Sequence, residues 1–252
     1  MSWCDKLAST PAIGLRFEPR IVPAELVLRT WAPMLRRFVK DDTPTFTVDT
    51  QDSFGVELTT EEGFKYGSDM LRTHVTFQHR LRAKPVSGGP PTMELLSTPA
   101  PYTELLDEVS ARLVEATLLM PESGTQMITR IGVVSSTQVA LDEVPPGIVS
   151  FIEYLARPWR AGLDNLQVQL SAKLGEKPGW KDRCIHTVIK PEDEESLFTL
   201  QFDWQREFSP SRATHADTLA DLIDQAKKSA LSYYEQIAIG SLFDEELISE
   251  RD

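Results

Sequence analysis

Each half of the chain contains three successive segments in which apolar and polar residues alternate, and no helical pattern separates them. This order is the sequence feature that most constrains the fold. Strands that follow one another directly pair antiparallel, because a parallel pair needs a long crossover connection that is usually a helix. The runs therefore predict an α+β fold with mainly antiparallel sheets. They comprise 46–58, 71–83 and 93–96 in the first half, and 166–174, 185–189 and 198–204 in the second.

The elements that flank these runs have the same order in both halves. A strand and a helical stripe precede each run, and a longer helix follows it. Each half therefore has the order β-α-β-β-β-α, which predicts two pseudo-repeated units, 1–122 and 123–252, as two domains or as one continuous domain. The halves share element order and not visible residue identity, so a true duplication is a hypothesis. The flanking elements are 13–17, 26–38 and a helix from about Tyr102, then 128–134, 148–156 and a helix from about Thr214.

The last strand and the last helix give the clearest prediction of a core. Apolar residues occupy every second position of the strand, and the helix carries an apolar stripe at helical spacing. The residues predicted to meet there are Phe198, Leu200, Phe202, Trp204, Leu222 and Ile223.

The charge balance limits the class of partner. The 252 residues include 26 lysines and arginines against 38 aspartates and glutamates, a formal net charge of −12. An acidic surface repels a phosphate backbone, so nucleic-acid binding is disfavoured except at a local basic patch. The N-terminus has no apolar run of signal-peptide length, and no stretch approaches the roughly 20 apolar residues of a membrane helix. We therefore expect a cytoplasmic protein without a membrane partner.

The chain lacks the motifs of familiar enzyme, metal and nucleotide sites. It contains no GxSxG, no HExxH, no GxxxxGK[ST] and no GxGxxG sequence. Its two cysteines, Cys4 and Cys184, have neither metal-ligand spacing nor the number that a disulfide framework needs. We therefore predict no catalytic residue, no metal ligand and no cofactor.

Two histidines need separate consideration. His186 stands two residues after Cys184 on a predicted strand, so both side chains lie on one face. The pair is consistent with a packed free cysteine or with a thiolate nucleophile activated by a histidine. His79 falls on the apolar face of its strand by parity, where we expect a partly buried, hydrogen-bonded histidine.

The segment from Leu71 to Ala83 predicts the most regular strand of the chain, and one of its faces is basic. No acidic residue occurs between Asp69 and Glu94. The shared parity of the polar residues predicts that they project from one face and are accessible to an anion, a nucleic acid or an acidic partner. A solvated face, or charge that protects an edge strand, explains the same pattern. The candidate binding residues are Arg72, His74, Arg80, Arg82 and Lys84.

Three segments carry a resemblance to known proteins. They are the Pro-led strand 10–17, the Arg-Ile-Gly strand 129–133, and the C-terminal helix and tail 222–247. In these segments the chain resembles a sporadically distributed bacterial family of uncharacterised proteins of about this length. The resemblance covers nearly the whole chain, and it implies a fold but no known reaction.

Three function hypotheses follow. The first is a non-enzymatic interaction protein with a protein partner: a cytoplasmic bacterial adaptor, an immunity-type protein or an accessory factor. The second is an enzyme with a site near Cys184 and His186. The third is a binder of an anionic ligand or nucleic acid through the strand that ends at Lys84. The sequence does not indicate the oligomeric state.

Overall fold

The computed structural model describes residues 3–6, 10–20, 36, 45–49, 55–60, 62–86, 89–119, 126–156, 166–190 and 197–242. The helix predicted over 26–38 lies outside these ranges except for Arg36, which is helical.

Nine strands of the described part of the chain form one sheet in which every pair is antiparallel, and two further strands form a separate sheet. The order in the large sheet is β2-β3-β4-β5-β1-β8-β11-β10-β9. The α+β class and the antiparallel pairing predicted from the sequence are therefore confirmed. The strands are β1 (Thr10–Glu18), β2 (Thr45–Asp49), β3 (Gly55–Thr59), β4 (Phe64–Asp69), β5 (Arg72–Phe77), β6 (Leu81–Lys84), β7 (Thr92–Leu95), β8 (Met127–Val139), β9 (Leu166–Lys177), β10 (Trp180–Lys190) and β11 (Phe198–Ala213).

In the described ranges, apart from Arg36, four α-helices accompany the strands: α1 (Trp3–Lys6), α2 (Tyr102–Leu118), α3 (Pro146–Ala156) and α4 (Ala216–Ile239). A 3₁₀ turn precedes α3. Helices α2 and α4 pack against the central strands of the large sheet and against each other. Helix α4 ends at Ile239, and the next residue, Gly240, has a φ of 81°, the left-handed conformation that glycine adopts without a Cβ clash.

The core lies between these helices and one face of the large sheet. Alternate residues of β1, Ile13, Leu15 and Phe17, are almost fully buried against the helices, while the intervening residues point to the other face. The predicted core of the last strand is confirmed, since Trp204 is 1% exposed and Leu200 is fully buried. Ile223 is buried, and Leu222 packs beside it at the edge of the core.

Strands from both predicted units belong to the large sheet. Strand β1 pairs with β8 at its centre, with Gly14 opposite Gly132. The second half has the predicted order, a strand, a helix, three strands and a helix. The order predicted for the first half is wrong, because six strands, β2 to β7, lie between β1 and α2 in the described residues, where three were predicted. The division of the chain between residues 122 and 123 stays a prediction.

The prediction of one strand from Leu71 to Ala83 is wrong. Strand β5 ends at Phe77, whose partner Phe64 is the first residue of β4. A turn at Gly63 precedes that partner, and the Gln78 amide donates to the Gly63 carbonyl oxygen at 2.9 Å. The ladder has no partner strand beyond this point, so the chain leaves the large sheet and resumes as β6 in the small one.

Strand β9 lies at the edge of the large sheet. Its alternate residues Val168 and Leu174 are partly buried, whereas Leu170 is 42% exposed. On β10 the buried side chains include Cys184, His186 and Val188, and Ile185 lies on the opposite face.

Candidate functional site

The structure separates the five candidate binding residues into three places. Arg72 and His74 lie on β5 in the large sheet, and Arg82 and Lys84 lie on β6 in the small one. Arg80 lies between the two strands. The expectation that all five project from one face is therefore wrong, because the strand that was to align them is interrupted after Phe77. Their role in binding stays a prediction.

The small sheet, β6 paired with β7, is an amphipathic two-stranded ribbon, and all eight of its residues are exposed. Directly opposite residues share a face. Leu81 faces Leu95 and Ala83 faces Met93, which makes one face wholly apolar. The other face carries the pairs Arg82 with Glu94 and Lys84 with Thr92.

The apolar face of the ribbon is more exposed than apolar side chains on the surface of a globular protein usually are. Leu81 is 58% exposed, Met93 61% and Leu95 44%, and Val86, just beyond β6, is 45% exposed. Adjacent exposed apolar side chains of this kind mark an interaction surface more often than isolated ones do. Leu81 has the parity of the apolar face of the strand predicted from Leu71 to Ala83. The loop 85–91 between two short alternating segments was the available signal for a hairpin.

Hydrogen bonds hold the ribbon at its base. The Leu96 amide donates to the Arg80 carbonyl oxygen at 2.8 Å, and the Arg80 amide donates to Ser97 Oγ at 3.2 Å. The Arg80 guanidinium donates to the Thr60 carbonyl oxygen at 3.1 Å. Arg80 therefore anchors the ribbon and is only partly exposed, whereas Arg82 and Lys84 are exposed. His79 bonds Ser97 Oγ at 3.2 Å as expected of a hydrogen-bonded histidine, but it is exposed rather than partly buried.

Arg72 and His74 instead belong to a cleft on the face of the large sheet that points away from α2 and α4. The cleft encloses about 250 Å³ around the Gly14–Gly132 pair. Arg16 lies directly opposite Arg72 on one side and Arg130 on the other, so three arginines form a row across β5, β1 and β8. The charged or titratable residues among those that line the cleft are Arg16, Arg72, His74, Arg130 and Asp203.

Arg16 and Arg130 are not among the binding residues predicted from the sequence. They lie 114 positions apart in the chain, and only the register of β1 against β8 brings them together. The available signal was the mirrored order of the two segments. Arg16 follows Gly14 by two residues, and Arg130 precedes Gly132 by two residues. In an antiparallel pair with Gly14 opposite Gly132, the two arginines therefore lie opposite each other.

The Cys184 and His186 side chains are both buried on the helix-facing side of β10. Burial raises the pKa of the Cys184 thiol well above its usual value, which opposes a thiolate. The ring of His186 shares a hydrogen bond of 2.8 Å with the Tyr233 hydroxyl and packs edge-on against Phe202. Burial lowers the pKa of His186 to about 4. The pair has the features of packed core residues.

Comparison with known proteins gives no match: no family model, no curated protein and no solved structure matches the chain. The resemblance to the bacterial family therefore stays a prediction. No group of three or more His, Cys, Asp or Glu side chains within the described ranges is arranged to hold a metal ion. None of the helices in those ranges has both the length and the apolar character needed to cross a membrane.

Proposed function

We propose that the protein is a non-enzymatic cytoplasmic interaction protein that docks a partner protein through the β6–β7 ribbon. The observation that carries the proposal is the exposed apolar face of the ribbon, formed by Leu81, Met93 and Leu95. The free energy of burying such side chains is about 1.5–3 kcal/mol each, which is available only if another surface covers them.

The charges on the ribbon indicate the chemistry of the partner. Arg82 and Lys84 extend from the ribbon against a single carboxylate, Glu94. The protein as a whole is acidic and repels an acidic partner at long range, so attraction to an acidic surface is confined to this basic element. The partner that fits is a protein with an apolar patch bordered by aspartate or glutamate side chains.

The structure of the ribbon suits recognition. Two-stranded ribbons are marginally stable when isolated, so an exposed ribbon gains stability from a surface that covers it. The hydrogen bonds of Arg80 and Leu96 at the base fix its position before binding, which lowers the entropy cost of association.

Photo-crosslinking tests the proposal. A benzophenone amino acid at Met93 is expected to crosslink one partner in cells, and the same label at Leu118 on α2 is the control at an exposed apolar position. The identified partner is then purified and titrated against the protein at low and high salt. Affinity should fall with salt, because exposed charges are screened.

Paired variants separate the two faces of the ribbon. Leu81→Ser with Met93→Ser removes the apolar face, and Arg82→Glu with Lys84→Glu reverses the charge. Both should weaken binding by at least about tenfold, equivalent to 1.4 kcal/mol. Lys228→Glu on α4, where Lys228 is 73% exposed, should bind like wild type. Capture of a second copy of the chain, of nucleic acid, or of the same partner by the ribbon variants would overturn the proposal.

The alternative of an enzyme with a site at Cys184 and His186 receives no support from the geometry. Both side chains are buried, and the Cys184 thiol donates to the Ile185 carbonyl oxygen at 3.8 Å. Slow modification of Cys184 by iodoacetamide in the folded protein is the expected result, whereas rapid modification would favour the enzyme.

We also propose that the two halves are pseudo-repeats. What supports this is the sheet order, because the first half runs outward as β1-β5-β4-β3-β2 and the second as β8-β11-β10-β9, one strand fewer. In each half, the first strand lies at the centre of the large sheet, the last strand that the half contributes to this sheet lies next to it, and the earlier strands follow toward the edge. A search for residue correspondence centred on Gly14 and Gly132 would test the idea, and random scores at that alignment would count against it.

A further inference from the structure

From the cleft on the open face of the large sheet, we infer a second binding site, separate from the ribbon, for a small organic oxyanion that also carries a hydrogen-bond donor. The oxyanion is a phosphate or a carboxylate. Arg16 and Arg130 would hold it, and Asp203 would accept a hydrogen bond from the donor group. The glycine pair between these residues supplies the floor.

The first argument is the row of three arginines. Like charges directly opposite each other on adjacent strands are destabilising, and here two such pairs are consecutive, Arg72 with Arg16 and Arg16 with Arg130. Arg72 is compensated by Asp69, with Nη2 and Oδ2 2.7 Å apart. Within the described part of the chain, neither Arg16 nor Arg130 has a carboxylate within ion-pairing distance. Glu207 lies opposite Arg130 on β11, but its carboxylate pairs with Lys181 and Arg183. An anion between them would compensate both charges.

The second argument is the position of Arg130. Its Nη1 atom donates to Gln205 Oε1 at 3.0 Å, and the Arg183 guanidinium donates to the same oxygen at 2.7 and 2.9 Å. One neutral amide oxygen thus accepts hydrogen bonds from two guanidinium groups. The Gln205 amide nitrogen donates in turn to Asp203 Oδ2 at 2.6 Å. This network fixes Arg130 and Asp203 and leaves donors of Arg130 for a ligand.

The third argument is the glycine floor. A Cβ at Gly14 would lie 3.0 Å from His74 Cβ, and a Cβ at Gly67 would lie 2.2 Å from the His74 ring, so neighbours require these two glycines. Gly132 differs, because a Cβ there would meet nothing nearer than 3.9 Å. Its φ is not positive either. Neither packing nor backbone conformation requires Gly132, and a glycine within a strand is often a place where a ligand approaches the backbone.

The spacing of the rows sets the size of the ligand. The arginine row, the glycine row and the row that contains Asp203 follow one another at two-residue steps of the strands, about 7 Å apart. One of the two atoms nearest to the empty Cβ position of Gly132 is Asp203 Oδ1, so this oxygen borders the floor. The arginine row and the Asp203 row are therefore about 14 Å apart at the backbone, but Gln205, in the glycine row between them, bonds both Arg130 and Asp203, so these two side chains converge over the floor. A molecule of a few carbon atoms with an oxyanion at one end and an ammonium or amide at the other fits between them in the cleft of about 250 Å³.

Three probes test the site by calorimetric titration of the full-length protein: phosphoethanolamine, γ-aminobutyrate and inorganic phosphate. Phosphoethanolamine and γ-aminobutyrate carry the same ammonium on a phosphate or a carboxylate, so their comparison distinguishes the two oxyanions. We expect at least one of them to bind saturably with a millimolar or lower Kd. Inorganic phosphate, which lacks the ammonium, should bind more weakly than phosphoethanolamine if phosphate is the preferred oxyanion.

Single variants then assign the residues. Arg16→Gln should weaken the best probe by at least about tenfold, since a charge-assisted hydrogen bond contributes more than 1.4 kcal/mol. Asp203→Asn should weaken the two ammonium-bearing probes and leave inorganic phosphate unchanged or tighter. Gly132→Leu should abolish binding by filling the floor. Lys228→Gln on α4 removes the same charge as Arg16→Gln and should bind like wild type.

The fold is monitored by the thermal midpoint of each ligand-free variant. Arg16 is exposed, so Arg16→Gln tests the site even if Gly132→Leu does not fold. Absence of saturable binding by all three probes would overturn the inference. Equal binding by wild type and Arg16→Gln would also do so. These outcomes are independent of the ribbon, whose variants are tested against a protein partner.

Discussion

Arg206 and Asp182 form an ion pair on the helix-facing side of the sheet, with Nε to Oδ1 at 2.8 Å and Nη2 to Oδ2 at 2.7 Å. The two residues are only 5% and 9% exposed. The guanidinium also stacks 3.8 Å above the Trp180 ring and donates to Ser229 Oγ. The ion pair lies beside Trp204 at the boundary of the core, and the charge of each side chain is compensated by the other.

Removal of one partner should therefore cost far more than removal of both. Asp182→Ala leaves a buried guanidinium without its carboxylate, and we expect a loss of about 3–5 kcal/mol in the free energy of unfolding. Asp182→Leu with Arg206→Met should recover most of this loss, because two apolar side chains replace two charges. Urea unfolding measures both. A loss under about 1 kcal/mol for Asp182→Ala would show that water reaches the pair.

His186 gives the stability a dependence on pH. Its pKa in the folded protein is about 4, and its unfolded value is about 6.5. Between these two values the unfolded chain binds a proton that the folded protein does not, so stability should decrease as pH falls through this window by about 2–3 kcal/mol. Below about pH 4 this contribution is constant.

His186→Gln isolates the effect, because glutamine can still bond the Tyr233 hydroxyl but does not titrate. Carboxylates such as Glu207 titrate in both proteins and cancel in the comparison. Urea unfolding between pH 7.5 and pH 4 should show a smaller loss of stability in the variant. Parallel pH profiles would mean that the imidazole is accessible to protons in the folded state.

The ribbon is an element that adds little to the stability of the rest. Its strands contact each other, and its eight residues are exposed. Because Leu96 already bonds Arg80 across its base, an Asn-Gly turn can join these two residues in place of 81–95. We expect the thermal midpoint to change by no more than about 3 °C, as for surface substitutions. A fall of about 10 °C or more would show that the ribbon packs on the body of the protein.

Periodicity predicted individual elements well where the partner strand or helix is near in the chain. Helices α2 and α3 and the hairpin of β10 with β11 have the expected places. The break after Phe77 was not predictable from alternation, because the apolar pattern continues through it. The cause is the turn at Gly63, which ends the partner strand.

The candidate sites were predicted less well for the same reason. Arg82 and Lys84 were found from local composition, and both lie on the ribbon. The apolar residues beside them, such as Met93, were assigned no role, because a two-stranded ribbon cannot be distinguished from core strands by alternation. The contact between Arg16 and Arg130 depends on sheet register, which one sequence does not reveal.

At the scale of the whole molecule, the two halves of the chain build a single core. Strand β1 from the first half and β8 from the second are neighbours at the centre of the sheet. Helix α2 packs against α4, and Lys227 on α4 bonds Asp107 on α2 at 2.5 Å. The Cys4 amide in α1 donates to Glu235 Oε1 in α4 at 3.2 Å. Contacts between the halves are therefore continuous through sheet and helices.

This arrangement predicts that neither half folds alone. Separation between residues 122 and 123 would turn β1 and β8 into long unpaired edges and expose the apolar faces of α2 and α4, and small domains with less buried surface are only marginally stable. We expect fragments 1–122 and 123–252 to show no cooperative thermal transition when expressed separately. Co-expressed fragments should associate and unfold in one transition, because the pairing of β1 with β8 needs no peptide link between them. The measurement is circular dichroism with size-exclusion chromatography of each fragment and of the pair. A cooperative transition in either fragment alone would establish two independent domains and would place the division of the molecule at the boundary between the pseudo-repeated units.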